Sequence, residues 1–339
     1  MSEATPPAVC IVGAGSTGLM AGYHLSLAGA AVTFVVRPHR LEQLSRPQML
    51  YSYDDDNLTA YSDYEVVTDP AKLSESSFAF VLVTLNASAL HTEAGLRLVD
   101  EIGRAFRGRS TVVILGSLGL DTRTWFLGRS GLAGRQVING ALESFAYQVP
   151  FADLPPNPLI SDALHGRADL AYRHPHPIGF SVDLSAPSAA RSFAALYDRN
   201  GVTRCDTVTV DEYHVRVATF PILVAWGLLS WPAVHSIDPK SEIWRLGADA
   251  MREFQRLSIF GLTGRNLSEQ TSPASVLQSF RELEQASEPL DFAAFMAYQH
   301  GSKVSEQDHV ALREALSRGE AEGAAMPALR ALLARVPTA

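Results

Sequence analysis

The sequence predicts an α/β domain built on a doubly wound parallel sheet, followed by an all-helical domain. Three observations predict it. Residues 9–12, 31–36, 78–85 and 111–115 are short, continuous apolar runs, the pattern of strands buried on both faces of a parallel sheet. The first run leads through the glycine-rich turn GAGSTG at 13–18 into residues of helical spacing. Beyond about residue 207 every periodic segment has helical spacing and no strand pattern returns. The expected division is therefore residues 1–206 and residues 207–339, with substrate held in a cleft between the two parts.

Taken in order, residues 9–12 enter a turn in which each glycine has a task. Gly13 allows the sharp exit from the strand, Gly15 lets backbone approach a pyrophosphate closely, and Gly18 lets the following helix pack on the sheet. Leu19 to Ala28 suits that helix, whose N-terminal N–H groups and partial positive charge face the phosphates. Gly29 stops the helix, and residues 31–36 return as the second strand. This strand–turn–helix–strand context predicts dinucleotide binding. The end of the second strand decides which dinucleotide. An acid there would bind a ribose 2′-hydroxyl, whereas arginine suits a 2′-phosphate. This chain has Arg37 and Arg40 there and no acid before Glu42, so the cofactor reads as NADP(H). A solvated strand end is the plainer alternative for the two arginines.

Residues 51–64 are polar and Tyr-rich and include Asp54, Asp55 and Asp56. They lack the spaced ligands of a calcium loop and read as a solvated hairpin or loop, so no metal is expected. Residues 78–85 end at Leu85 and Asn86, on the carboxyl edge where such sheets bind ligands. Residues 92–106 have helical spacing. The run 111–115 ends in Gly116 and Ser117, again at a carboxyl edge, and 136–139 reads as a further strand. Residues 147–187 are rich in Pro, Gly and His, with 177–182 expected to add antiparallel strands. Ser185 reads as the N-cap of a helix to Tyr197. Helical spacing then covers 212–231, 243–261, 273–284, 292–298, 306–318 and 328–335.

The 339 residues are 47% apolar and 19% charged, enough for two cored domains, and the net charge is −8. Without a basic run, nucleic acid and anionic membrane surfaces are not expected partners. Two distant cysteines, Cys10 and Cys205, fit a reducing compartment. The opening MSEATPP is not a signal peptide, and the longest apolar run is too short to span a bilayer. The expectation is a cytoplasmic protein acting on a small molecule, with a homodimer a possible assembly.

The chain resembles the ketopantoate reductase family. The resemblance rests on GAGSTG at 13–18, on Arg37, on Val83-Thr84-Leu85-Asn86-Ala87 against the family's V-T-x-K-A, and on the G-x-x-x-P turn Gly323-Ala324-Ala325-Met326-Pro327. Ser275-Val276-Leu277-Gln278 looks like the family's S-M-L-Q, whose serine contacts substrate, and Glu288 falls near its active-site carboxylate. The resemblance implies cofactor contacts from Gly13, Gly15, Ser16, Thr17, Gly18, Arg37, Arg40, Leu85, Asn86 and Gly116. It implies substrate contacts from Asn86, Ser117, Phe220, Ser275 and Glu288.

Four polar groups of the family pattern are replaced. Its general-acid lysine, in E-x-x-x-K-x-x-x-N, aligns with Arg216, and its asparagine with Phe220. The lysine after V-T-x is Asn86, and the asparagine of H-N-G-x-G is Gly116. Together these argue against ketopantoate as substrate, and Phe220 suggests a bulkier, less charged one. Reduction of C=O still needs a proton donor with a reachable pKa. Arg216 can bind an anion but is a poor acid. Because histidine as a residue type titrates closest to neutrality, His214 is the natural candidate, with a surface or core histidine as the plainer alternative. Lys303, one of three lysines, suits an acid or an anion anchor. Ser305 and Asp308 beside it read as a helix cap. The expected activity is NADPH-dependent reduction of a carbonyl or imine other than ketopantoate. A non-reductive enzyme with bound but unturned cofactor, or an NADP(H)-binding sensor, would share these features.

Overall fold

The structure is a computed structural model that describes residues 6–152, 154–155 and 159–336. The chain forms two compact units; among the described residues the first runs to Thr209 apart from Leu118–Leu120 and 154–155, and the second takes Leu118–Leu120, 154–155 and everything from Val210. The expected boundary at residue 206 falls inside the last strand of the first unit.

Among the described residues twelve strands are formed: β1 (Ala8–Val12), β2 (Ala31–Val35), β3 (Gln48–Ser52), β4 (Asn57–Tyr61), β5 (Glu65–Val67), β6 (Phe80–Val83), β7 (Val112–Leu115), β8 (Val137–Leu142), β9 (Phe145–Gln148), β10 (Leu170–Arg173), β11 (Ile178–Asp183) and β12 (Arg204–Val208). Eight of them make one sheet in the order β12-β11-β8-β7-β6-β1-β2-β5. From β5 through β8 every neighbour is parallel. β11 joins β8 antiparallel and β12 joins β11 parallel. The chain order reverses between β1 and β6, so the ligand crevice of such a sheet lies at their carboxyl ends.

The apolar runs follow from burial on two sides. One face packs Leu19, Met20 and Leu25 of the helix Ser16–Leu27 and Phe193 and Tyr197 of the helix Pro187–Tyr197. The other packs Val99, Ile102 and Phe106 of the helix Glu93–Phe106. With no strand face left to water, Val9, Cys10, Ile11, Val81, Leu82, Val113 and Ile114 are all fully buried.

Three expectations are corrected here. Residues 51–64 take part in the expected hairpin but are only partly solvated: β3 and β4 pair antiparallel in a second sheet, β4-β3-β10-β9, in which Tyr51, Tyr53 and Tyr61 are buried while Asp54–Asn57 are exposed. Its register comes from β10 pairing parallel with β3 and antiparallel with β9. Ser185 is not a helix cap; its hydroxyl donates to the buried Asp183 carboxylate at 2.6 Å, and Ala186 precedes the helix. The spacing of 212–231 is not one helix. It divides into Val210–His214, a 3₁₀ segment Val215–Thr219 and the helix Phe220–Leu228. Pro221 is the reason: it has no N–H to give the turn before it and its ring crowds the preceding carbonyls.

A buried polar chain ties the helix Ser16–Leu27 to the second sheet. His24, fully buried, bonds Tyr197 Oη through Nδ1 at 2.5 Å and faces His174 Nε2 through its own Nε2 at 3.3 Å. His174 Nδ1 in turn lies 2.6 Å from Asp54. Burial, then the neighbouring His174, lower the His24 pKa to about 3, so His24 is neutral at ordinary pH.

The second unit is helical throughout its described residues. Trp226, Trp244, Phe280 and Phe292 form its aromatic core, with ring centroids 5.4–6.0 Å apart in the Trp226–Phe280, Trp226–Phe292 and Trp244–Phe280 pairs. Both indole N–H groups are satisfied, Trp226 by Pro232 O and Trp244 by Pro273 O, each at 2.9 Å. Among the described residues no helix is long and apolar enough to cross a membrane.

Candidate functional site

The glycine turn is held from outside by β6. Gly13 has φ +102°, a conformation open to glycine, and its N–H donates to Val35 O at 2.9 Å. Thr84 Oγ1 donates to Val12 O at 3.0 Å, clasping the turn where a Cβ on Gly13 would lie 2.7 Å away. A Cβ on Gly18 would sit 2.1 Å from Gly13 O, which is why helix and turn close so tightly. Gly15 is different. Nothing lies within 4 Å of where its Cβ would be, so its backbone faces open space at the N-terminus of a twelve-residue helix that no side chain caps.

That open space is part of a cavity of about 510 Å³, the size of a small-molecule site. Gly13, Gly15, Arg37, Arg40 and Leu85 all line it, with Pro70, Ala71 and Leu98 as apolar walls. Arg37 is exposed, and its guanidinium makes no hydrogen bond or ion pair among the described residues. Arg40 is half-buried, and its guanidinium donates to Ala14 O at 2.9 Å, bracing the turn; burial lowers its pKa. Two acids also line the cavity, and both are engaged. Asp69 accepts the Ala71 N–H at 3.0 Å as a helix cap, and Glu101 pairs with Arg104. A cradle open at Gly15, beside an uncommitted guanidinium, suits the phosphates of a nicotinamide dinucleotide.

The other predicted groups of this unit are engaged locally. Asn86 caps the short helix Ala87–Leu90, its Oδ1 accepting from Ala89 N–H at 2.8 Å. Ser117 is buried and donates to Leu85 O. Gly116 donates to Val83 O at 2.8 Å, and a Cβ there would lie 2.9 Å from that same oxygen. An asparagine at this position would need the backbone to shift. Neither Asn86 nor Gly116 lines the cavity.

In the second unit, Arg216 is half-buried in the 3₁₀ segment, with its guanidinium carbon 5.6 Å from the Tyr213 ring centroid. His214, half-buried, ends the helix before it. Phe220 is buried and its ring lies 6.3 Å from that of His300. Lys303 stands on the same turn as His300, a π-helical segment Gln299–Lys303. Its Nζ is 5.8 Å from the Tyr298 ring centroid, and desolvation lowers its pKa although the residue as a whole is exposed. Among the described residues no hydrogen bond or ion pair joins Ser275 or Glu288 to this group. Ser275 Oγ closes a capping box with Ser272 at the start of the helix Pro273–Ser287, and Glu288 is exposed beyond that helix's end.

The expected cap at Ser305 and Asp308 is a correction. Val304 precedes the helix Ser305–Ala321, and no side chain caps it. Asp308 is instead buried and accepts a hydrogen bond from His300 Nδ1 at 2.7 Å. Burial raises the Asp308 pKa, and the His300 hydrogen bond opposes the rise. His300 carried no role in the sequence reading. No metal-binding cluster occurs among the described residues.

Residues 9–115 match the family model described as ketopantoate reductase PanE/ApbA. That match takes in the glycine turn and the strands from β1 to β7. Across the whole length the ketopantoate reductase fold recurs in solved structures at low identity. A 2-dehydropantoate 2-reductase from Geobacter metallireducens is 17% identical, with 97% of this chain and 99% of that one covered and a TM-score of 0.65. D-mandelate dehydrogenase, solved with NADH and anilino(oxo)acetate, is 13% identical with 96% of both chains covered and a TM-score of 0.61. A dimeric ketopantoate reductase from Staphylococcus aureus is 13% identical, with 96% of each chain covered and a TM-score of 0.58. All three are oxidoreductases. No curated protein matches by sequence.

Proposed function

We propose that this chain is an NADPH-dependent oxidoreductase that reduces a carbonyl or imine other than ketopantoate. The observation that carries the reading is Arg37, exposed and uncommitted at the end of β2 and lining the same cavity as Gly13 and Gly15. Its guanidinium would hold the 2′-phosphate, and the helix N-terminus at Ser16, Thr17 and Gly18 the pyrophosphate. NADPH, when bound, supplies a hydride. The chain's own residues must then bind the acceptor and hand over a proton. Arg216 and Lys303 would bind or polarise an anionic or carbonyl oxygen, with Lys303 and His214 as the proton donors the sequence suggests. Phe220, buried where the family pattern has asparagine, supports a bulkier acceptor. The mandelate dehydrogenase likeness makes an aromatic 2-oxo acid the first class to try. Buried free thiols at Cys10 and Cys205 support a reducing, cytoplasmic setting, and the dimeric relative supports a homodimer. The test is NADPH oxidation against a panel of aromatic 2-oxo acids, aldehydes, ketones and cyclic imines, with ketopantoate alongside. Turnover with a panel member and none with ketopantoate is expected. Robust ketopantoate reduction, or failure to bind NADPH at all, would overturn the reading.

A further inference from the structure

We propose that Arg40 is a positioning residue for the pyrophosphate and not a ligand of the 2′-phosphate, an inference that rests on the dinucleotide-binding part of the reading above. The two arginines after β2 start alike. Arg37 precedes and Arg40 ends a 3₁₀ turn, Pro38–Arg40, and residues three apart on such a turn stand on one side of it. Both line the cavity. Their engagement separates them. Arg37 is exposed, and its guanidinium makes no hydrogen bond or ion pair among the described residues. Arg40 is half-buried and donates from Nη2 to Ala14 O at 2.9 Å.

What that bond fixes follows from peptide geometry. Ala14 C=O and Gly15 N–H belong to one planar trans peptide and point in opposite directions. Anchoring the oxygen to Arg40 therefore sets the direction of the Gly15 N–H, which has no hydrogen-bond partner among the described residues. The turn before it is held by other groups. Val35 O accepts the Gly13 N–H at 2.9 Å, and Thr84 Oγ1 donates to Val12 O at 3.0 Å. Those bonds stop short of Ala14. Among the described residues Arg40 makes the one side-chain hydrogen bond that the Ala14–Gly15 peptide receives. Packing does not hold this peptide in its place, since nothing lies within 4 Å of where a Cβ on Gly15 would be, and glycine leaves the backbone free to turn. Without Arg40 the peptide can turn over and present a carbonyl oxygen where phosphate oxygens need a donor. Arg40 also makes no ion pair among the described residues; Asp69 and Glu101 line the same cavity and are engaged elsewhere. A half-buried guanidinium without a carboxylate calls for an anion, and both dinucleotides bring the same pyrophosphate. The contribution of Arg40 is therefore common to NADPH and NADH, and the preference between them falls to Arg37.

Calorimetry on the full chain with three probes tests this: NADPH, NADH and adenosine 2′-monophosphate, which carries the 2′-phosphate and no pyrophosphate. Arg40→Met loses the donor and the charge. It should weaken NADPH and NADH by the same factor, about tenfold or more, and leave the monophosphate within about threefold of wild type. Arg37→Ala should do the reverse, weakening NADPH and the monophosphate and sparing NADH. Arg40→Lys keeps the charge and one flexible donor and should show the Arg40→Met pattern at smaller size, so it decides should Arg40→Met not fold. If Arg40 variants weaken NADPH and the monophosphate but spare NADH, Arg40 is a 2′-phosphate ligand and the proposal is overturned. Equal weakening of all three probes, the mark of a damaged fold, overturns it too, as does no weakening at all. A wild type that binds NADPH yet oxidises it with no panel member overturns the reductase reading and leaves this assignment to the affinities; one that binds no dinucleotide overturns both.

Discussion

His24 should make the first unit lose stability in mild acid, and the size of the loss follows from its burial. In the native chain its pKa is lowered to about 3, mainly by desolvation. In the unfolded chain an exposed histidine titrates near 6.5. The folded value lies below the unfolded one, so acid protonates the unfolded state first. Stability is therefore full above pH about 6.5 and is lost as pH falls toward about 3. Between pH 7 and pH 4.5 the linkage amounts to about 2.5 kcal/mol, from about 1.4 kcal/mol per pH unit over the two units in which only the unfolded state binds the proton. Asp54 and Asp169, held below the ordinary carboxylate range, lose their contribution only in stronger acid. Hydrogen exchange at the β1 amides, read as opening free energy at the two pH values, measures the effect. His24→Asn keeps an acceptor for Tyr197 but cannot titrate, and should flatten the dependence by about 2.5 kcal/mol. An unchanged slope in the variant would refute the assignment of a neutral, buried His24.

Arg37→Ala should weaken NADPH binding by about 1–3 kcal/mol and leave NADH nearly unchanged; calorimetry with both cofactors checks this, and equal losses would remove the 2′-phosphate contact. Gly18→Ala should fold poorly or bind NADPH weakly, because its Cβ would lie 2.1 Å from the Gly13 carbonyl; thermal unfolding and cofactor titration report it, and a wild-type-like variant would contradict the geometry. Ketopantoate should give no steady turnover in the NADPH-oxidation assay. Gly116→Asn should not restore it, since the Cβ meets Val83 O at 2.9 Å, and a fully active, stable variant would count against that reasoning.

The parallel sheet was legible because strands covered on both faces must be apolar throughout, as residues 9–12 and 78–85 are. The glycine turn was legible because its three glycines act within six residues. The second sheet was not. Its strands mix tyrosines with polar residues, as in NLTAY at Asn57–Tyr61, and β3 pairs with β10 from far along the chain. Ser305 and Asp308 imitate a capping box in spacing, and local pattern cannot show that the helix begins one residue too early for that role. The His300–Asp308 contact was hidden for a related reason. Residues eight apart would stand about 12 Å apart along a straight helix; the chain bends at Val304, which has φ −123° and ψ 10°, and the bend brings them together.

The π-helical turn at Gln299–Lys303 also has an evolutionary consequence. Such a turn holds one residue more per hydrogen-bonded ring than an α-turn, so losing a single residue there would let the segment relax into regular helix. The fold would persist, but His300 and Asp308 would no longer meet. Chains of this architecture could thus gain or shed the pair through one codon's insertion or deletion, and the length of this turn would separate the two lineages without any change in the nucleotide half.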